Sequence, residues 1–234
     1  SEVIGDPLGS IASGPTVLSP DRCNSARQLL MDKDLWPRLP KRVRAVLNQT
    51  RPTRKRTRRP TNKLIGGNQQ LVDGAVGKAR SLGFNVKVLS RQMHGEARLV
   101  GQKFARRLVK LSSGIKHPAC FIMGGETTVT VQGSGKGGRN QELALSSAGI
   151  LAGHEQIVLA SLASDGIDGP TDAAGGVIDG KTFTRITSTG LDPELALNQN
   201  DSYAMLQCGN ALFHTGPTGT NVADLTLGLI FPKE

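Results

Sequence analysis

The stretch from Ala119 to Leu151 limits the fold more than any other part of the chain. An apolar run, Ala119–Met123, leads into GGETTVTVQGSGKGGRNQE (124–142), and an apolar-periodic segment, Leu143–Leu151, follows. Strand, glycine-rich turn and helix in that order belong to a layered α/β fold. Thr127–Val131 alternates β-branched residues and predicts a half-exposed strand. Gly133, Gly135, Gly137 and Gly138 then remove the Cβ atoms that keep ligands away from backbone. A helix start just beyond presents unpaired N–H groups and the positive end of a dipole. The combination predicts an anion site for a phosphate or carboxylate, with Lys136 beside it. Arg139 stands where a planar guanidinium fork clamps such an anion.

Periodicity places the other elements. Helices are expected at Asn24–Leu30, Arg38–Leu47, Leu71–Leu82 and Gly95–Leu111, with short ones at Pro193–Leu197 and Ser202–Gln207. Strands are expected at Lys63–Gly66, Asn85–Leu89, Ile157–Ala163 and Leu225–Phe231. Residues 48–61 read as a linker, and the patterns at 173–176 and 180–189 select neither strand nor helix. No apolar run approaches the ~20 residues that span a bilayer, so no membrane partner is expected.

The net charge of +10 sits in one segment. Lys41–Lys63 holds ten basic residues and no acid; without them, 19 basic residues face 19 acidic ones. Pro52 and Pro60 interrupt this run and no aromatic residue interleaves it for base stacking, so a solvated loop is favoured over a nucleic-acid surface. Three well-separated cysteines, Cys23, Cys120 and Cys208, without a CxxC, argue for a reducing compartment and against a disulfide framework or zinc site. His94, His117, His154 and His214 show no metal-ligand spacing.

Chemistry concentrates in three loops. Gly133–Gly138 fits G-x-G-x-x-G, but a dinucleotide turn needs a continuously apolar strand before it, not alternating Thr and Val. A Walker A loop fails because Gly137 follows Lys136 where Ser or Thr would ligate magnesium. Glu126 follows the apolar strand, at the carboxyl end where α/β folds collect ligand groups. The second loop, LASDGIDGPTDAAGG (162–176), carries Asp165, Asp168 and Asp172. Asp165 is the functional candidate, as a Mg²⁺ ligand or as acceptor of a hydroxyl proton, and Asp172 is expected as a turn residue or helix cap. The third, HTGPTGTNVADL (214–225), offers Thr218 and Gly219 to wrap a phosphate and Asn221 to orient a substrate.

GGETTVTVQGSGKGGRNQELAL, ASDGIDGPTDAAG, NDSYAML and HTGPTGTNVADL, in this order, resemble the glycerate 2-kinase family of the MOFRL type, and IGDPLGSIASGPTV resembles the segment closing the family's first domain. The resemblance implies ATP-dependent phosphorylation of D-glycerate to 2-phosphoglycerate, with ATP and Mg²⁺ as cofactors and a cytoplasmic location, a mitochondrial one and self-association being left open. The family's active-site positions fall on Glu126, Arg139, Asp165 and Asn221. The glycine loop, Lys136, Thr218 and Gly219 would contact nucleotide, and Asp165 and Asp6 are the candidate metal ligands. Position 2 is Glu where the family usually has Asp. The implied organisation is the tail of a Rossmann-like first domain with its basic linker (1–60), then a MOFRL-type α/β domain with a mixed sheet (61–234). The start SEVIGDPLGS reads as the middle of a protein, so the expectation is an incomplete form with reduced or no activity. The family's active-site lysine and a further glycine loop would lie upstream. Two other readings stand beside this one: an NAD(P)-dependent hydroxypyruvate reductase using the G-x-G-x-x-G loop, and a non-catalytic basic interaction fragment.

Overall fold

Strands with apolar residues on both faces must lie inside a sheet, and strands that alternate line one face of a core. The computed structural model describes residues 1–3, 5–17, 22–49 and 60–232, with backbone only for 22–24. Its strands are β1 (Asn85–Met93), β2 (Ala119–Gly125), β3 (Ile157–Ala163), β4 (Gly175–Asp179), β5 (Leu212–Phe213) and β6 (Asp224–Ile230). They form one mixed sheet in the order β1-β2-β6-β3-β4-β5. β2, six of whose seven residues are buried, lies inside the sheet, and β3 and β6 alternate buried and half-buried residues along their length. Only β1 and β2 are parallel, and a parallel pair needs a crossover. Helix α4 (Ala97–Ser112) supplies it.

The chain separates into two compact units, residues 7–63 and residues 1–6 with 64–234. The smaller contains α1 (Arg22–Asp32), a 3₁₀ turn at Trp36–Arg38 and α2 (Lys41–Asn48), and the Arg27 guanidinium lies 5.6 Å from the Trp36 ring centre. Most of the predicted linker and basic run, residues 50–59, lies outside the described residues. In the larger unit, α3 (Asn68–Ser81) covers one sheet face through Val72, packed with Cys120 and Ile122. The other face carries α4 and α5 (Arg139–Leu151), with the short α6 (Thr182–Thr187), α7 (Pro193–Asn198) and α8 (Ser202–Cys208). Leu143, Leu145 and Leu151 of α5 are buried, each contributing ~1.5–3 kcal/mol of hydrophobic stabilisation.

Several elements differ from expectation. Lys63–Gly66 joins no strand ladder. Thr127–Val131 runs extended but meets its neighbour only through one bridge, Thr128 to Glu96, so it is a wall rather than a sheet member. Helix α5 begins at Arg139, four residues before its apolar periodicity, because a distant carboxylate caps it. The segment that selected neither state holds β4 and α6, whose short lengths give periodicity too little to act on.

Candidate active site

Strand register decides which residues meet at one end of the sheet. β6 runs antiparallel to both neighbours and pairs Asp224 with Gly125 of β2 and Ala163 of β3. Glu126, one residue past Gly125, and Asp165, two past Ala163, therefore emerge beside the residues that enter β6. Arg139 reaches the same place as the first residue of α5.

Arg139 is held there by a carboxylate that spacing alone did not single out. Its Nε donates to Asp224 Oδ2 at 2.6 Å and its Nη2 to Oδ1 at 2.8 Å. Asp224 is fully buried, and Arg139 keeps 28% of its side chain exposed. Nη1 lies 3.3 Å from Glu126 Oε1. Hydrogen bonding to Asp224 pushes the guanidinium's already high pKa further up. Burial raises the carboxyl of Glu126 above its ordinary 4.5; Arg139 opposes the rise, while Asp224, Glu2 and Asp165 add to it. Asn68, at the start of α3, fixes this corner by donating Nδ2 to the carbonyls of Val222 and Asp224.

Asn221 donates Nδ2 to Glu2 Oε2 at 2.6 Å, and its Oδ1 accepts the Ala223 N–H. Asp165 Oδ1 accepts the Ile167 N–H at 3.1 Å, and its carbonyl accepts the Thr218 N–H. Thr218 donates its hydroxyl to the Ser164 carbonyl at 2.6 Å, so it braces the Asp165 loop, while Gly219 at φ 75° stands in open space. The structure thus gathers Glu126, Arg139 and Asp165 with Asp224, and ties Asn221 to Glu2. Asp6 instead lies against Gly67, where a Cβ would sit 2.8 Å from its Oδ1.

The glycine loop requires a correction. Four of its N–H groups are turned inward: Gln132 and Gly133 donate to Asn200 Oδ1, Gly135 to the Gln199 carbonyl and Lys136 to Asp201 Oδ1. The glycines are needed because the loop presses on the segment before α8. A Cβ on Gly133 would lie 2.4 Å from backbone of Gln199, and one on Gly137 would lie 2.1 Å from Ser202 Oγ. The start of α5 is likewise taken. Asp168, buried, accepts the N–H groups of Asn140 at 3.1 Å and Gln141 at 2.9 Å, and Asn140 Nδ2 at 3.2 Å. Asp168 is therefore the helix cap, and Asp172, expected as a turn residue or a cap, lies in a bend and accepts the Tyr203 hydroxyl at 2.7 Å. Lys136 Nζ rests 4.4 Å from the Tyr203 ring centre. The loop, the extended Thr127–Val131 segment and Pro170 enclose a cleft of ≈ 510 Å³ with Arg139 at its edge.

Residues 119–224 match the MOFRL family, and residues 1–48 match a domain of unknown function, DUF4147. The chain is 42% identical over 233 residues to the D-glycerate 2-kinase of Thermotoga maritima, covering 98% of this chain and 55% of that protein. It is 33% identical over 282 residues to the glycerate kinase of Macaca fascicularis, covering 100% of this chain and 71% of that one. The chain belongs to the MOFRL-type glycerate kinase family. The crystal structure of the Thermotoga maritima glycerate kinase matches this fold with a TM-score of 0.90 at 42% identity, over 98% of this chain and 55% of that one. The chain thus spans about half the length of the first glycerate kinases it matches, 55% in each case. Within the MOFRL match, Arg139 and Asp224 stand 85 residues apart, a separation that no local motif exposes. Its only trace in the sequence is an acid at the mouth of the last apolar strand.

Proposed function

We propose that this chain serves ATP-dependent phosphorylation of D-glycerate at its 2-hydroxyl, giving 2-phosphoglycerate and ADP. The observation that carries the reading is the Arg139 guanidinium, fixed by Asp224 and facing Glu126 at the strand ends, in a chain of the glycerate kinase family. Phosphoryl transfer relies on positioning and charge neutralisation more than on covalent chemistry. Because Asp224 holds Nε and Nη2, the edge bearing Nη1 meets the glycerate carboxylate or the transferring phosphate. Asp165 either takes the proton of the substrate hydroxyl, as the γ-phosphoryl passes from ATP to the 2-oxygen and ADP departs, or serves as the Mg²⁺ ligand. Glu126 positions substrate, and Asn221 acts with Glu2. The glycine loop forms a close wall beside the nucleotide, with Gly137 and Gly138 lining the cleft, and Thr218 and Gly219 shape the loop that carries Asp165.

Mg²⁺ suits this acidic corner: the mutual repulsion of Glu126, Asp224, Glu2 and Asp165 is what a divalent cation relieves. Among the described residues no three His, Cys, Asp or Glu side chains form a metal cage. Mg²⁺ on a nucleotide needs only one or two carboxylates besides the phosphates. Asp165 would hold it, with Asp6 the second candidate; bound there, the ion would neutralise phosphate charge. We assign residues 1–60 to the end of a Rossmann-like first domain and 61–234 to the second, with residues 1–6 bringing Glu2 to Asn221. The free Cys120 thiol, pushed up to about 11 by burial, is an inert core group.

The test is product formation. The intact protein with Mg·ATP and D-glycerate should release ADP and 2-phosphoglycerate. Oxidation of NAD(P)H with hydroxypyruvate, without ATP consumption, would replace the reading with a reductase.

A further inference from the structure

A second cleft, of ≈ 370 Å³, opens between β1 and α4, and it shares no lining residue with the cleft beside Arg139. It exists because β1, at the edge of the sheet, carries one residue too many. The register with β2 passes from Val88–Ile122 to Ser90–Met123, so Leu89 has no partner. Such a bulge bends an edge strand and re-aims its side chains. Leu89 and Ser90 both line the cleft as a result, and Ser90 is too small to fill it. Met93, Phe104 and Met123 complete an apolar floor, the first two of them buried.

The rim is cationic. Lys103 and Arg107, one helical turn apart on α4, stand exposed there. Among the described residues neither side chain makes an ion pair or a hydrogen bond. α4 itself contains no acid that could neutralise them. Like charges four residues apart on a helix repel, and an anion between them relieves that repulsion. A solvated helix face also carries cations, but it has no cavity beneath them. The floor and the rim together select the ligand. Leu, Met and Phe side chains receive an apolar body, and adaptable methionine accommodates its shape, whereas a sugar would leave its hydroxyls unpaired. The guanidinium fork and the ammonium group take a carboxylate head. The volume lies at the small end of the roughly 300–1,000 Å³ of small-molecule sites.

We propose that this cleft is a binding site for a small aliphatic carboxylate, with its tail on Met93, Phe104 and Met123 and its head on Lys103 and Arg107. The site is separate from the candidate active site and does not depend on the kinase reading. One residue joins the two. The Met93 carbonyl accepts the Glu126 N–H at 2.8 Å, and a Cβ on Gly125 would lie 2.3 Å from the Met93 backbone nitrogen. An occupant that presses on Met93 is therefore felt at Glu126.

The chain's four methionines make the test site-specific, because Met93 and Met123 line the cleft while Met31 lies in α1 and Met205 in α8. NMR of the 234-residue chain carrying ¹³C-methyl methionine, titrated with octanoate, should show saturable shifts of Met93 and Met123 and still signals from Met31 and Met205. Octylammonium, with the same tail and the opposite head charge, should bind at least about tenfold more weakly, as should acetate, which has the head alone. Replacing both exposed cations, Lys103→Ala with Arg107→Ala, should weaken octanoate by about tenfold and leave the melting temperature unchanged. The Glu126 amide signal should move in step with Met93. Four methyl signals shifting alike, no shift of Met93 and Met123, equal binding of octylammonium, or full octanoate binding to the double variant would overturn the site. A Glu126 amide that stays fixed while Met93 saturates would overturn its link to the candidate active site.

Discussion

Replacing Asp168 by Ala should destabilise the fold sharply, because one buried carboxylate satisfies three donors at the start of the central helix. Loss of a helix cap costs ~1–2 kcal/mol, and buried donors left unpaired cost ~1–3 kcal/mol each before water relaxes the site. Allowing for that relaxation, the total is about 4 kcal/mol. At roughly 2–4 °C per kcal/mol for a domain of this size, the melting temperature should fall by about 8–16 °C. Asp168→Asn keeps a carbonyl acceptor and should lose about half as much. Differential scanning calorimetry reads both numbers, and amide exchange at Asn140 and Gln141 localises the effect. The Ala variant also uncovers the N–H groups that Asp168 now occupies, so formate should raise its melting temperature and leave the wild type unmoved. A melting point for Asp168→Ala within ~2 °C of wild type would refute the reasoning, because the start of α5 would then have another partner.

Three further outcomes follow from the geometry. Gly133→Ala, whose Cβ would meet the Gln199 backbone at 2.4 Å, should cost about 1–3 kcal/mol by overpacking, and an unchanged melt would mean that the loop does not press on that segment. Asp224→Asn should lower the melting temperature by about 4–8 °C, a range discounted for the partial exposure of Arg139; no shift would mean that the fork is held elsewhere. Burial raises the Glu142 carboxyl above its ordinary 4.5, so the stability it contributes is present below that pH and is lost as pH rises through the folded value. Glu142→Gln cannot ionise and should therefore gain on wild type as pH climbs above the carboxyl's ordinary range; a pH-independent difference in melting temperature would contradict this.

The strands and long helices were legible because their periods are long and their composition is one-sided: Ile157–Ala163 appears with the bounds expected. Glu126, Arg139 and Asp165 were legible as chemistry at strand and helix ends. Asp224, Asp168 and Glu142 were not, because their partners lie 85, 28 and 58 residues away and local spacing carries no record of such pairs. The glycine loop was only half legible for a related reason. Glycine permits a close approach, and the sequence does not say whether a phosphate or the protein's own backbone makes it. Thr127–Val131 has strand composition, but only tertiary pairing makes a strand, and that segment has one bridge.

The central claim is that Arg139, fixed between Asp224 and Glu126, handles the anion in phosphoryl transfer to glycerate. The direct measurement is kcat/KM for D-glycerate of Arg139→Ala against wild type in the intact protein, followed as ADP release. The account predicts a loss of at least about a hundredfold, the value of one electrostatic donor in the transition state. Turnover near wild type would contradict it.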